Sequence, residues 1–125
     1  MPRAATPKAP SEYDFHRSVV HYLNRSLDQH AMYFHGANGG YRYATEGARL
    51  KAMGVIAGLP DLGVVHAGRV AWLELKASKG RVSAAQAYCH ARLEGAGCPV
   101  SVCRTLDDVE AALKRAGIPL KARVS

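Results

Sequence analysis

Gly58-Leu59-Pro60-Asp61-Leu62 and, ten residues further on, Trp72-Leu73-Glu74-Leu75-Lys76 are the two segments that decide how this chain folds. Both have the apolar content of short strands. Ala67-Gly68 between them is a turn signal, so Pro60 to His66 and Arg69 to Ala77 read as a strand–turn–strand unit. Side chains two apart on a strand share a face. Glu74 and Lys76 therefore point one way, and Leu73 and Leu75 point the other way into a core. The hairpin folds Asp61 back toward Glu74, so two carboxyl groups meet beside one ammonium group.

The remaining elements follow from caps and periodicity. Ser11 caps a helix from Glu12 to about Leu27, with Phe15, Val19, Tyr22, Leu23 and Leu27 on its apolar face. Ala31 to His35 reads as a strand, and Glu46 to Met53 as a short helix ended by Gly54. Ser83-x-x-Gln86 is a capping box that opens a helix running to about Glu94. Pro99 to Cys103 is a further strand. Thr105 caps a last helix striped by Leu106, Val109, Leu113 and Ala116. The predicted order is α-β-(short α)-β-β-α-β-α, an α/β domain. Residues 1–10 read as a flexible basic arm with three prolines, and residues 11–125 as one domain, because 125 residues leave no room for a second.

Composition narrows the partner. With 17 Lys and Arg against 10 Asp and Glu, the net charge of +7 favours an anionic partner, nucleic acid above all. Cys89, Cys98 and Cys103 form no CxxC pair and no disulfide framework, which suits a reducing compartment. There is neither a signal-peptide pattern nor an apolar run long enough to span a bilayer, so the expected location is the cytoplasm. The six histidines include no helical pair at zinc-ligand spacing and read as surface or phosphate-side residues. No Gly-x-Ser-x-Gly elbow is present.

Two carboxyls and one lysine at this spacing suit phosphodiester hydrolysis. Asp61 and Glu74 offer hard oxygen donors of the kind Mg²⁺ or Mn²⁺ takes, and the Leu75 backbone carbonyl is a further candidate ligand. Lys76 would orient the attacking water and stabilise charge on the transition state. The plain alternative, a salt bridge on an exposed strand, accounts for a lone Glu-x-Lys. It does not account for the Pro-Asp that precedes it across a hairpin.

At these residues the chain resembles the virus-type replication-repair nucleases (VRR-NUC), a branch of the PD-(D/E)XK superfamily. The resemblance rests on Gly54-(x)3-Gly58-Leu59-Pro60-Asp61-Leu62, Trp72-Leu73-Glu74-Leu75-Lys76, Ser83-(x)2-Gln86 and Gly97-(x)2-Val100. Asn38-Gly39-Gly40 and Ser11-Glu12 also fit, so it spans Ser11 to Leu113. It implies a restriction-endonuclease-like core, a mixed central sheet flanked by helices. It implies that Asp61, Glu74 and Lys76 form the cutting centre, that Glu12 adds an acid and a possible metal ligand, and that Gln86 helps arrange the site. It further implies a stand-alone homodimer of Holliday-junction resolvase type, acting on branched DNA with Mg²⁺ or Mn²⁺ and no small-molecule cofactor. The compact design is compatible with a bacterial or phage-infected cell as the setting. Glu12 also suits a helix dipole, and Gln86 also suits a cap.

For holding DNA, the candidates are Asn38, Gly39, Gly40, Arg42, Arg49, Lys51, Lys79 and Arg81, which would meet phosphates without reading bases. Tyr41 and Tyr43 are candidates for stacking on an unpaired base. No helix-turn-helix or zinc finger is visible, which favours recognition of DNA shape. Other readings are a flap, nick or duplex nuclease of the same fold, an RNA-directed nuclease, or a DNA-binding module without catalysis.

Overall fold

The computed structural model describes residues 10–36 and 44–121. Asn38, Gly39, Gly40, Tyr41, Arg42 and Tyr43, and nearly all of the N-terminal arm, lie outside them. Eight elements follow in the order α1 (Glu12–Ser26), β1 (Ala31–His35), α2 (Ala44–Ala52), β2 (Leu62–His66), β3 (Arg69–Leu75), α3 (Ala84–Gly95), β4 (Val100–Cys103) and α4 (Leu106–Arg115). The strands form one sheet in the order β1-β2-β3-β4. β1–β2 and β2–β3 pair antiparallel, and β3–β4 pair parallel through the α3 crossover. A mixed sheet results, as expected.

Caps set the helix starts. The Ser11 hydroxyl accepts from the Asp14 N–H, while Ser83 and Thr105 each open a full capping box, with Gln86 and Asp108 respectively. These bonds satisfy N–H groups that a helix cannot pair within itself. The β2–β3 hairpin turns at Ala67 and Gly68, both left-handed at φ 51° and 78°. That geometry matches the twist of the two strands.

The core lies on one face of the sheet. Phe15, Val19 and Leu23 of α1 and Val109 and Leu113 of α4 close over Leu62, Val64, Leu73 and Leu75. Burial of such apolar surface is the main force holding the layers together. Because β3 alternates, Trp72, Glu74 and Lys76 face away from this core. Glu74 meets α3 there. Both Glu74 and Lys76 are nonetheless buried. Cys89 and Cys103 are buried free thiols. Among the described residues no helix is long and apolar enough to cross a membrane.

β2 begins two residues later than the sequence pattern predicts, and β3 stops two residues earlier. The cause is Pro60. The register pairs Leu62 with Leu73, so its continuation would set Pro60 opposite Leu75. Proline has no N–H to give to the Leu75 carbonyl. The ladder ends here, and the Leu75 N–H instead donates to Asp61 Oδ2 at 2.8 Å.

Candidate active site

The site forms where β3 outruns β2. Asp61 is the first residue before β2, and its carboxyl reaches across to the β3 backbone at Leu75. Residues of β3 alternate which sheet neighbour their backbone faces. The N–H groups of Trp72 and Lys76 donate toward β4, to Pro99 O and Cys103 O. The N–H and C=O of Leu75 therefore lie on the opposite edge, beside Asp61, where the proline leaves no donor for the carbonyl.

Two glycines fix the Pro60-Asp61 segment. The Gly36 N–H donates to Asp61 O at 2.7 Å, and a Cβ on Gly36 would sit 2.2 Å from Pro60 O. Gly58 is left-handed at φ 79°, and a Cβ there would lie 2.4 Å from Ala85 O. Bare backbone thus packs directly on the first turn of α3. This closeness brings α3 over Glu74.

Glu74 is fully buried, and both its oxygens have partners on α3. Gln86 Nε2 donates to Oε2 at 3.3 Å, and His90 Nε2 lies 3.0 Å from Oε1. The Gln86 carbonyl also accepts from the Ser83 N–H, so one amide serves both the cap and the acid. Its two ends are separate hydrogen-bonding groups, and the two readings of Gln86 coexist. Burial first, then the Asp61 carboxyl, pushes the Glu74 pKa from 4.5 up to about 8, with Lys76 opposing. Two neighbouring carboxyls that resist joint ionisation are what a divalent cation would relieve.

Glu12, at the start of α1, places Oε1 4.0 Å from Lys76 Nζ. Asp61, Glu74, Lys76, Glu12 and Gln86 therefore share one neighbourhood. Lys79 and Arg81 are exposed on the 77–83 loop, which joins Lys76 to the cap of α3. Arg49 is exposed on α2. Lys51 lines an apolar groove of about 900 Å³ between α2 and α3, with Leu50, Ile56, Tyr88 and Arg92 among the other walls.

Two of the histidines read from sequence as surface or phosphate-side residues, His16 and His90, stand at the site. The side chain of His90 is only 14% exposed. His16 is partly buried, and burial lowers its pKa against the pull of Asp61. The available signal was spacing. Glu12 and His16, like Gln86 and His90, are four residues apart and so share a helix face.

The donor chemistry fits a hard cation. Among the described residues no three His, Cys, Asp or Glu side chains form a ready-made metal cage. Two carboxyls with an adjacent backbone carbonyl leave the other positions to water and phosphate, the arrangement Mg²⁺ tolerates.

No protein-family model matches the chain, and neither does any curated protein. Among solved structures, one named "VRR_NUC domain protein" superposes with a TM-score of 0.65 over 86% of this chain and 88% of its own, at 22% identity. At that identity the likeness is one of fold. The helix-flanked mixed sheet, with Asp61, Glu74 and Lys76 where the β2–β3 ladder ends, thus shares its fold with that VRR_NUC domain protein.

Proposed function

We propose that this chain is a Mg²⁺- or Mn²⁺-dependent endonuclease for structured DNA, acting as a homodimer of Holliday-junction resolvase type. One observation carries the reading: Asp61, Glu74 and Lys76 converge where the hairpin ladder breaks beside the Leu75 backbone. A binding-only module gains nothing from buried acids that would repel phosphate.

When bound, the cation supplies Lewis acidity to the phosphate and acidifies a coordinated water. Asp61, Glu74 and the Leu75 carbonyl would hold it, with Glu12 at the margin. Lys76 directs its ammonium toward the same space and would stabilise charge growing on the phosphoryl oxygens. Glu12, 4.0 Å from that ammonium, restrains its position. A net charge of +7 favours the polyanion. One centre makes one cut, so paired cuts at a junction require two copies, which a twofold dimer would supply.

The test offers four-way junctions, flaps, nicked and linear duplexes, and matching RNA, with Mg²⁺, Mn²⁺ or EDTA. Junction cutting is expected, abolished in EDTA and in Lys76→Ala. Cleavage that persists in EDTA would end the metal reading. Paired symmetric nicks support resolution, whereas cuts confined to flaps favour a flap nuclease of the same fold. Sedimentation of the free protein at micromolar concentration should give twice 13.4 kDa, and a 13.4 kDa species would count against the dimer.

A further inference from the structure

His90 lies outside the family pattern read from the sequence, yet it makes the shorter of the two polar approaches that α3 gives Glu74. It follows Gln86 by four residues, one helical turn, and so shares its face. Glu74 is fully buried, so its orientation is set by protein groups and not by water. A carboxylate has about four lone-pair sites. Gln86 occupies one on Oε2 and His90 one on Oε1, and the side of the carboxyl that they leave meets the Asp61 carboxyl, which shares a proton with it while no cation is bound.

We propose that His90 is a positioning residue of the cutting centre: with Gln86 it clamps the Glu74 carboxyl from α3, holding its other side toward Asp61 for a divalent cation. The proposal rests on the metal reading above. It requires that His90 Nε2 carries the proton, because an ionised Glu74 can only accept. Two donors on one rigid helix fix both the tilt and the rotation of the carboxylate, whereas Gln86 alone, at 3.3 Å, would hold it from α3 by one oxygen only. Cation affinity then depends on a side chain that never touches the cation. Partners of this kind typically alter metal affinity by about 10- to 100-fold.

The geometry also selects its own control. Glutamine places an amide N–H near the Nε2 position of histidine, and asparagine places one near Nδ1. His90→Gln should keep the clamp, while His90→Leu and His90→Asn should break it. Mn²⁺ binding is measured by calorimetry on the full chain, with melting in EDTA to confirm folding. The expected result is weaker binding by about 10- to 100-fold in His90→Leu and His90→Asn, recovery in His90→Gln, and unchanged DNA affinity in EDTA. If His90→Leu fails to fold, the contrast between His90→Gln and His90→Asn decides. Wild-type affinity in folded His90→Leu or His90→Asn would overturn the proposal, as would His90→Gln as weak as His90→Asn. A wild-type protein that binds no Mn²⁺ would overturn the metal reading itself, a separate outcome.

Discussion

Glu74 is an acid placed where its charge is disfavoured. Burial and the neighbouring Asp61 raise its pKa to about 8, Glu12 adds to the rise, and Lys76 opposes it. His90 and Gln86 face the same carboxyl from α3. The direction has a consequence for stability without metal. Folded Glu74 keeps its proton at a pH where the unfolded chain has already released it. Its contribution is complete below the ordinary carboxyl range and drains away as pH rises through about 8. Melting of the metal-free protein between about pH 5 and 9 should therefore fall more steeply for wild type than for Glu74→Gln. Parallel curves would show that Glu74 ionises normally. The Asp61, Glu74 and Lys76 triplet was legible in the sequence because strand alternation and a tight turn dictate which side chains meet. For His90 the spacing from Gln86 gave the helix face and nothing more, because its approach to Glu74 depends on how α3 docks, and no local period encodes docking.

The docking of α3 is decided on another element. Gly58 lets the chain before Asp61 press against the first turn of α3, with no space for a Cβ beside Ala85 O. Gly58→Ala should lift α3 from the sheet and separate Gln86 and His90 from Glu74. Overpacking of this kind costs roughly 1–3 kcal/mol, and the left-handed φ adds strain. Cutting should fall further than stability does, which parallel activity and denaturant titrations would reveal. Activity that tracks only the folded fraction would contradict this. The hairpin poses the opposite case. Ala67 holds φ 51° without the amide that makes asparagine tolerant of that region. Ala67→Asn should stabilise the protein by about 0.5–1 kcal/mol, since the left-handed state costs alanine roughly 1–2. An unchanged or lower denaturant midpoint would refute it. The turn and the helix caps were readable because each is a local arrangement of a few residues. The strand ends were not, because Pro60 stops the ladder only in a register that the whole hairpin sets.

Across the molecule, an acidic centre sits in a chain of net charge +7, so the endonuclease proposed above would need its cations where phosphate can reach them without neutralising the acids. The 77–83 loop meets that need. It starts beside Lys76 and ends at the cap whose Gln86 touches Glu74, so both ends are anchored at the site. The Arg104 guanidinium braces it, donating to Ala77 O at 2.9 Å and Gly80 O at 2.7 Å. A loop held this way presents exposed Lys79 and Arg81 at low entropic cost. Removing one phosphate-neutralising cation should lower the slope of log K against log salt by about 0.9 on duplex DNA. Lys79→Ala combined with Arg81→Ala should thus flatten the dependence by about twice that amount and weaken binding most at low salt. Fluorescence anisotropy on a labelled duplex, with Ca²⁺ in place of Mg²⁺ to suppress cutting, would measure it from about 50 to 200 mM salt. Arg104→Ala should reproduce part of the effect through the loop, although its guanidinium is engaged with backbone carbonyls. A slope unchanged in the double variant would mean that the phosphates run elsewhere, and Arg49 and Lys51 on α2 would be the next cations to remove.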